Sequence, residues 1–73
     1  MKREGQLLRN DCQRFEVGDY ELTSGSLVEI QINETWLLGV IEHWRDGYYW
    51  FSKFEGIAVI LRNGIQARLP ERF

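Results

Sequence analysis

The chain holds one cysteine and one proline in 73 residues, and each scarcity excludes something. A lone Cys12 forms no intramolecular disulfide, so burial and hydrogen bonding must hold the fold without covalent staples. One histidine, His43, and that one cysteine cannot supply the four ligands of a structural zinc site. No apolar run approaches the roughly 20 residues needed to cross a bilayer, and no charged-then-apolar leader opens the chain. The expectation is a cytoplasmic protein with no membrane attachment, no metal and no small-molecule cofactor. Cations are also in short supply: nine Lys and Arg against eleven Asp and Glu give a formal charge of −2. A duplex-DNA module relies on clustered Lys and Arg to displace counterions from phosphate, and this balance argues against one. The acidic excess sits in residues 1 to 35, which carry four basic and seven acidic groups against five and four in residues 36 to 73, the pattern of a solvated face.

Helical periodicity is poor throughout. Glycines recur at positions 5, 18, 25, 39, 47, 56 and 64, the spacing of turns in an all-β chain. The pattern predicts strands near Gln6 to Arg9, Gln13 to Val17, Leu27 to Ile32, Trp36 to Trp44, Tyr48 to Phe54, Ile57 to Leu61 and Ile65 to Leu69. Asn10-Asp11 and Asn33-Glu34 are turn sites, because short Asx side chains tolerate left-handed backbone and bond their own main chain. The expected architecture is one small antiparallel barrel of five to seven short strands, resembling the Src-homology-3-like class. Its body spans residues 27 to 69, with an amino-terminal hairpin at 5 to 17 added to one edge.

Loop length decides which side chains share a face. A three-residue loop at Arg62-Asn63-Gly64 pairs Leu61 with Ile65 and gathers Ile57, Val59, Leu61, Ile65, Ala67 and Leu69 on one face. Ala58, Ile60, Arg62, Gln66 and Arg68 fall on the other. The same loop at Arg45-Asp46-Gly47 pairs Trp44 with Tyr48, His43 with Tyr49 and Glu42 with Trp50. Leu37, Ile41, His43, Tyr49 and Phe51 then face the core, while Trp36, Leu38, Val40, Glu42, Trp44, Tyr48 and Trp50 face outward. Gly39 can change that parity by hosting a bulge.

All three tryptophans lie in this hairpin, which makes it the place where the chain concentrates either core or binding surface. The residue-level expectation is an outward cluster of Trp36, Glu42, Trp44, Tyr48 and Trp50 that contacts a protein partner or a second copy of the chain. The competing reading has the same rings closing the barrel ends. A further alternative uses them as stacking platforms for single-stranded nucleic acid beside Arg45, Lys53, Arg62 and Arg68, a role the interspersed Glu42, Asp46 and Glu55 oppose.

No catalytic constellation is present. Cys12 and His43 lie on distant strands with no third group to orient them, and Glu42 with Glu29 or Glu55 is the kind of carboxylate pair any acidic β-domain offers. Asn33-Glu34-Thr35 matches the glycosylation triplet, a chance match in a cytoplasmic chain. The expectation is a protein without enzyme activity.

The string Leu22-Thr23-Ser24-Gly25-Ser26-Leu27-Val28-Glu29-Ile30, followed by Trp36, Gly39, Ile41-Glu42-His43, Gly47-Tyr48-Tyr49, Gly64 and Ala67-Arg68-Leu69, resembles a family of short bacterial and mobile-element proteins known only as a domain of unknown function. The resemblance runs from Gly5-Gln6-Leu7 to Arg68. It implies a small β-barrel encoded on a mobile element or phage, with no assigned activity, and supplies no catalytic or ligand residues; the absence of a catalytic constellation makes a protein-interaction module or a small accessory or inhibitor protein the expectation.

Overall fold

A computed structural model of the chain describes residues 4–45 and 47–70. Among these residues there is no helix. Nine strands run in order as β1 (Glu4–Gln6), β2 (Leu8–Arg9), β3 (Phe15–Val17), β4 (Tyr20–Glu21), β5 (Leu27–Ile32), β6 (Thr35–Trp44), β7 (Gly47–Ser52), β8 (Ile57–Ile60) and β9 (Gln66–Arg68). The chain is therefore all-β, with nine described strands where five to seven were expected. They form two antiparallel sheets, one of six strands in the order β1-β9-β5-β6-β7-β8 and one of three in the order β2-β3-β4.

The first expected strand, Gln6 to Arg9, is divided. Its second residue, Leu7, is fully buried, and the chain turns there to pass from one sheet to the other. The corner is bonded on both sides, because the Leu7 N–H donates to Ile65 O at 2.8 Å and its carbonyl accepts from Gly64 N at 3.0 Å. Asn10 builds the next turn as expected, its Oδ1 accepting from the N–H groups of Cys12 and Arg14. Asn33 and Glu34 turn β5 into β6 with φ of 50° and 68°, and Ile32 pairs with Thr35 across them. Two successive left-handed residues match the twist of the flanking strands.

One expected hairpin is absent. β8 does not pair with β9: β8 lies beside β7 at one end of the large sheet, whereas β9 lies between β1 and β5 near the other. Arg62-Asn63-Gly64 is a crossing, held by Asn63 Oδ1 accepting from Arg9 N at 2.8 Å. The face assignment nevertheless survives. Leu61 and Ala67 are core, and Ile57, Val59, Ile65 and Leu69 pack against it, because alternation fixes the buried side of a strand whatever its neighbour.

The core lies between the sheets. Phe15, Val17 and Leu22 enter from the side of the smaller sheet, and meet Val28, Ile30, Ile41, Trp50, Leu61 and Ala67 of the larger one and Leu7 at the corner. With the smaller sheet on its inner face, the large sheet is left with an outer face.

Candidate partner-docking face

The β6–β7 hairpin decides which aromatic rings reach that face. Trp44 pairs with Gly47, His43 with Tyr48, Glu42 with Tyr49, Ile41 with Trp50 and Val40 with Phe51. The loop thus has two residues, Arg45 with a left-handed φ of 58° and Asp46, which lies outside the described residues. This corrects the expected three-residue loop. One residue of slip turns every side chain of a strand over, so β6 keeps its expected parity and β7 reverses.

The reversal buries Trp50, at 0% exposure. Its indole Nε1 donates to Val28 O at 3.0 Å, the partner a buried indole N–H needs. It lies over Gly39, where an added Cβ would fall closer than 3.0 Å to the indole. Gly39 hosts no bulge, since β5 and β6 pair without interruption from Leu27↔Val40 to Ile32↔Thr35. It is small because Trp50 occupies the space above it. Tyr48 also turns inward, packing edge-on against Phe15 at 6.4 Å between ring centroids and against His43 at 4.9 Å. The Tyr48 oxygen and the Glu21 carboxylate beside Arg14 raise that guanidinium above its ordinary pKa.

Tyr49 and Phe51, expected in the core, face outward instead. Cross-strand pairing lays the outer face out in rows: Leu27, Val40, Phe51 and Ala58 form one, and Glu42, Tyr49 and Ile60 the next. Trp44 closes the face beside Gly47. Trp44 is 58% exposed, Phe51 38% and Ile60 75%. Trp44, Tyr49, Ala58, Val59 and Ile60 line an apolar groove of about 270 Å³. The Arg45 guanidinium covers one side of the Trp44 ring at 4.5 Å, and Ser24 Oγ donates to the Glu42 carboxylate at 3.2 Å.

Of the five residues expected to cluster, the structure leaves Glu42 and Trp44 on this face and takes Tyr48 and Trp50 off it. Trp36 shares the outer side of β6 but sits eight residues from Trp44, opposite Gln31. Its ring is covered by the Arg68 guanidinium at 4.2 Å, which also bonds Glu29. Trp36 is thereby a platform for an internal ion pair. Sequence reasoning missed Tyr49 and Phe51 as surface residues. The signal was Gly39, because a glycine diagonal to a tryptophan in an antiparallel pair marks close backbone packing.

Cys12 is exposed in the β2–β3 turn of the smaller sheet, and His43 lies in the larger sheet on β6. Among the described residues no group of three His, Cys, Asp or Glu is placed to hold a metal ion, and no helix is long and apolar enough to cross a membrane.

The molecule is thus a small two-sheet β-domain with an open aromatic face. By sequence it belongs to the family described as a domain of unknown function (DUF5348), whose model matches residues 5–69. No curated protein and no solved structure matches the chain.

Proposed function

We propose that this chain is a non-catalytic protein-interaction module, a small SH3-like barrel that docks a partner protein on the outer face of β6, β7 and β8. The observation that carries this reading is the contiguous set Trp44, Tyr49, Phe51, Ala58 and Ile60, which leaves large apolar side chains in water on one side of a sheet whose other side carries the core residues Ile41 and Trp50. Contiguous apolar surface on a small domain is costly to keep and is commonly functional. Trp and Tyr anchor interfaces because each offers a large rigid area at little entropic cost. The support under the face is stiff: Trp50 fills the layer beneath and is fixed to β5 through its indole. A cytoplasmic accessory or inhibitor protein of a mobile element suits such a module, on the strength of the sequence resemblance.

The experiment compares the parent with Trp44→Ala and Ile60→Ser in affinity capture from the native host, with melting curves alongside. Loss of the same captured protein by both variants, at unchanged melting temperature, supports the reading. Undiminished capture contradicts it.

A second reading has its own observation. Tyr49 and Phe51 alternate on one strand beside Trp44, the layout of a stacking platform for unpaired bases, with Arg45, Lys53 and Arg62 nearby in sequence. Glu42 stands in the middle of that face and weakens the case. Salt separates the two readings, because nucleic-acid binding falls steeply with ionic strength while apolar docking does not.

A further inference from the structure

The two edges of the large sheet are unlike. β1 is three residues long and carries Glu4 and Gln6, polar residues of the kind that blunt an edge. β8 at the other end reads Ile57-Ala58-Val59-Ile60, with no charge and no proline. Its backbone parity follows from one bond: Leu61 N donates to Tyr48 O at 3.0 Å, so the odd positions Ile57, Val59 and Leu61 face β7. Ala58 and Ile60 therefore turn their N–H and C=O groups to the open edge. Among the described residues no strand covers it.

We propose that β8 pairs antiparallel with β8 of a second copy, joining two large sheets across a two-fold axis at Val59. The proposal deepens the docking reading by naming an occupant for the border of that face, and it rests on the edge rather than on the aromatic groove. The strand is self-complementary in this register. Ala58 and Ile60 of one copy exchange backbone hydrogen bonds with Ile60 and Ala58 of the other, setting a small side chain against a large one twice. Val59 meets its own mate on the inner side, in the closer type of pair. Arg62 falls opposite Gly56, so no like charges confront each other and no charge is desolvated. The outer rows become continuous, Tyr49 and Ile60 of one copy running into Ala58 and Phe51 of the other. Phe54, 88% exposed in the turn before β8, is carried toward the end of β8 that holds Ile60 in the second copy.

Four residues per copy give a ladder of about 13 Å, less than a standard interface of roughly 1,200–2,000 Å² requires. The dimer accordingly belongs with weak, transient contacts at the low end of interface size.

Sedimentation equilibrium up to about 1 mM, high enough to populate a millimolar association, tests the pairing, together with oxidative cross-linking in a Cys12→Ser background. The expected result is a reversible monomer–dimer equilibrium that Ala58→Lys abolishes without lowering the melting temperature and that Trp44→Ala leaves intact. Val59→Cys should form a disulfide-linked dimer at least tenfold faster than Ala58→Cys, because residues facing each other in a non-hydrogen-bonded pair lie within disulfide reach. A parent that is monomeric throughout, a dimer untouched by Ala58→Lys, or equal cross-linking at 58 and 59 overturns the proposal. Each leaves the docking reading to be judged by Trp44→Ala in affinity capture.

Discussion

Replacing Gly39 by alanine is the perturbation whose sign separates packing from propensity. A glycine within a strand usually weakens it, so Gly→Ala at an uncrowded site gains about 0.5–1 kcal/mol. Here φ is not left-handed and gives no reason for glycine; the reason is space. The new Cβ would fall closer than 3.0 Å to two atoms of the Trp50 indole and 2.6 Å from the Phe51 carbonyl oxygen, where carbon contacts normally settle at about 3.5–4.0 Å. Neither neighbour yields easily. The indole is fully buried and tied to Val28 O, and the carbonyl belongs to the backbone of β7. Overpacking of a rigid core costs about 1–3 kcal/mol and sometimes more, and two immobile neighbours put this site at about 3 kcal/mol on that scale. For a domain of this size such a loss lowers the melting temperature by roughly 12–24 °C. Thermal unfolding followed by circular dichroism reads it directly. Trp50→Phe in the same chain should recover part of the loss, since a phenyl ring vacates some of the space, but not all, because the Phe51 carbonyl stays. A Gly39→Ala protein that melts at or above the parent would refute the placement of Trp50.

Asn10 holds its turn through four bonds, its Oδ1 accepting from Cys12 and Arg14 and its Nδ2 donating to the Glu16 and Glu21 carboxylates at 2.9 and 2.7 Å. Because Glu16 and Glu21 are directly paired across β3 and β4, Asn10→Ala should cost about 1–2 kcal/mol, and Asn10→Asp more, by chemical denaturation. Ser52→Ala should leave stability unchanged or raise it by up to about 1 kcal/mol, because the Ser52 hydroxyl is buried without a partner among the described residues. Arg68→Ala removes the cover over Trp36 and the bond to Glu29; it should cost about 0.5–1.5 kcal/mol and shift Trp36 fluorescence to the red, with Arg68→Lys restoring the charge but not the stacking.

What could be read from the residues, and what could not, divides along physical lines. Alternation marked the buried side of Ile57 to Leu69 correctly, because that side is set by which residues are apolar. It did not reveal that β8 and β9 lie far apart in the sheet, since a strand's face pattern carries no information about its neighbour. Asn10 and Asn33-Glu34 were legible as turns because Asx chemistry acts locally. Tyr20–Glu21 is too short to show any pattern. The β7 error has a sharper cause. Tyr48-Tyr49-Trp50-Phe51 is aromatic at every position, so the strand has no alternation with which to choose its face. Trp50 takes the inside because Gly39 makes room for it and Val28 accepts its N–H. Of the five residues of the expected outward cluster, Glu42 and Trp44 therefore share the face on β6, Trp36 lies apart on the same side under Arg68, and Tyr48 and Trp50 on β7 are inverted.

Urea unfolding of Trp44→Ala beside Trp50→Ala tests most directly the claim that the aromatic face of β6 to β8 is a surface supported by a buried tryptophan. Trp44→Ala is expected to stay within about 1 kcal/mol of the parent, as an exposed substitution does, and Trp50→Ala to lose about 3–5 kcal/mol, much of the roughly 4–11 kcal/mol a 73-residue domain commands. Comparable losses in the two variants, or the larger loss in Trp44→Ala, would contradict it.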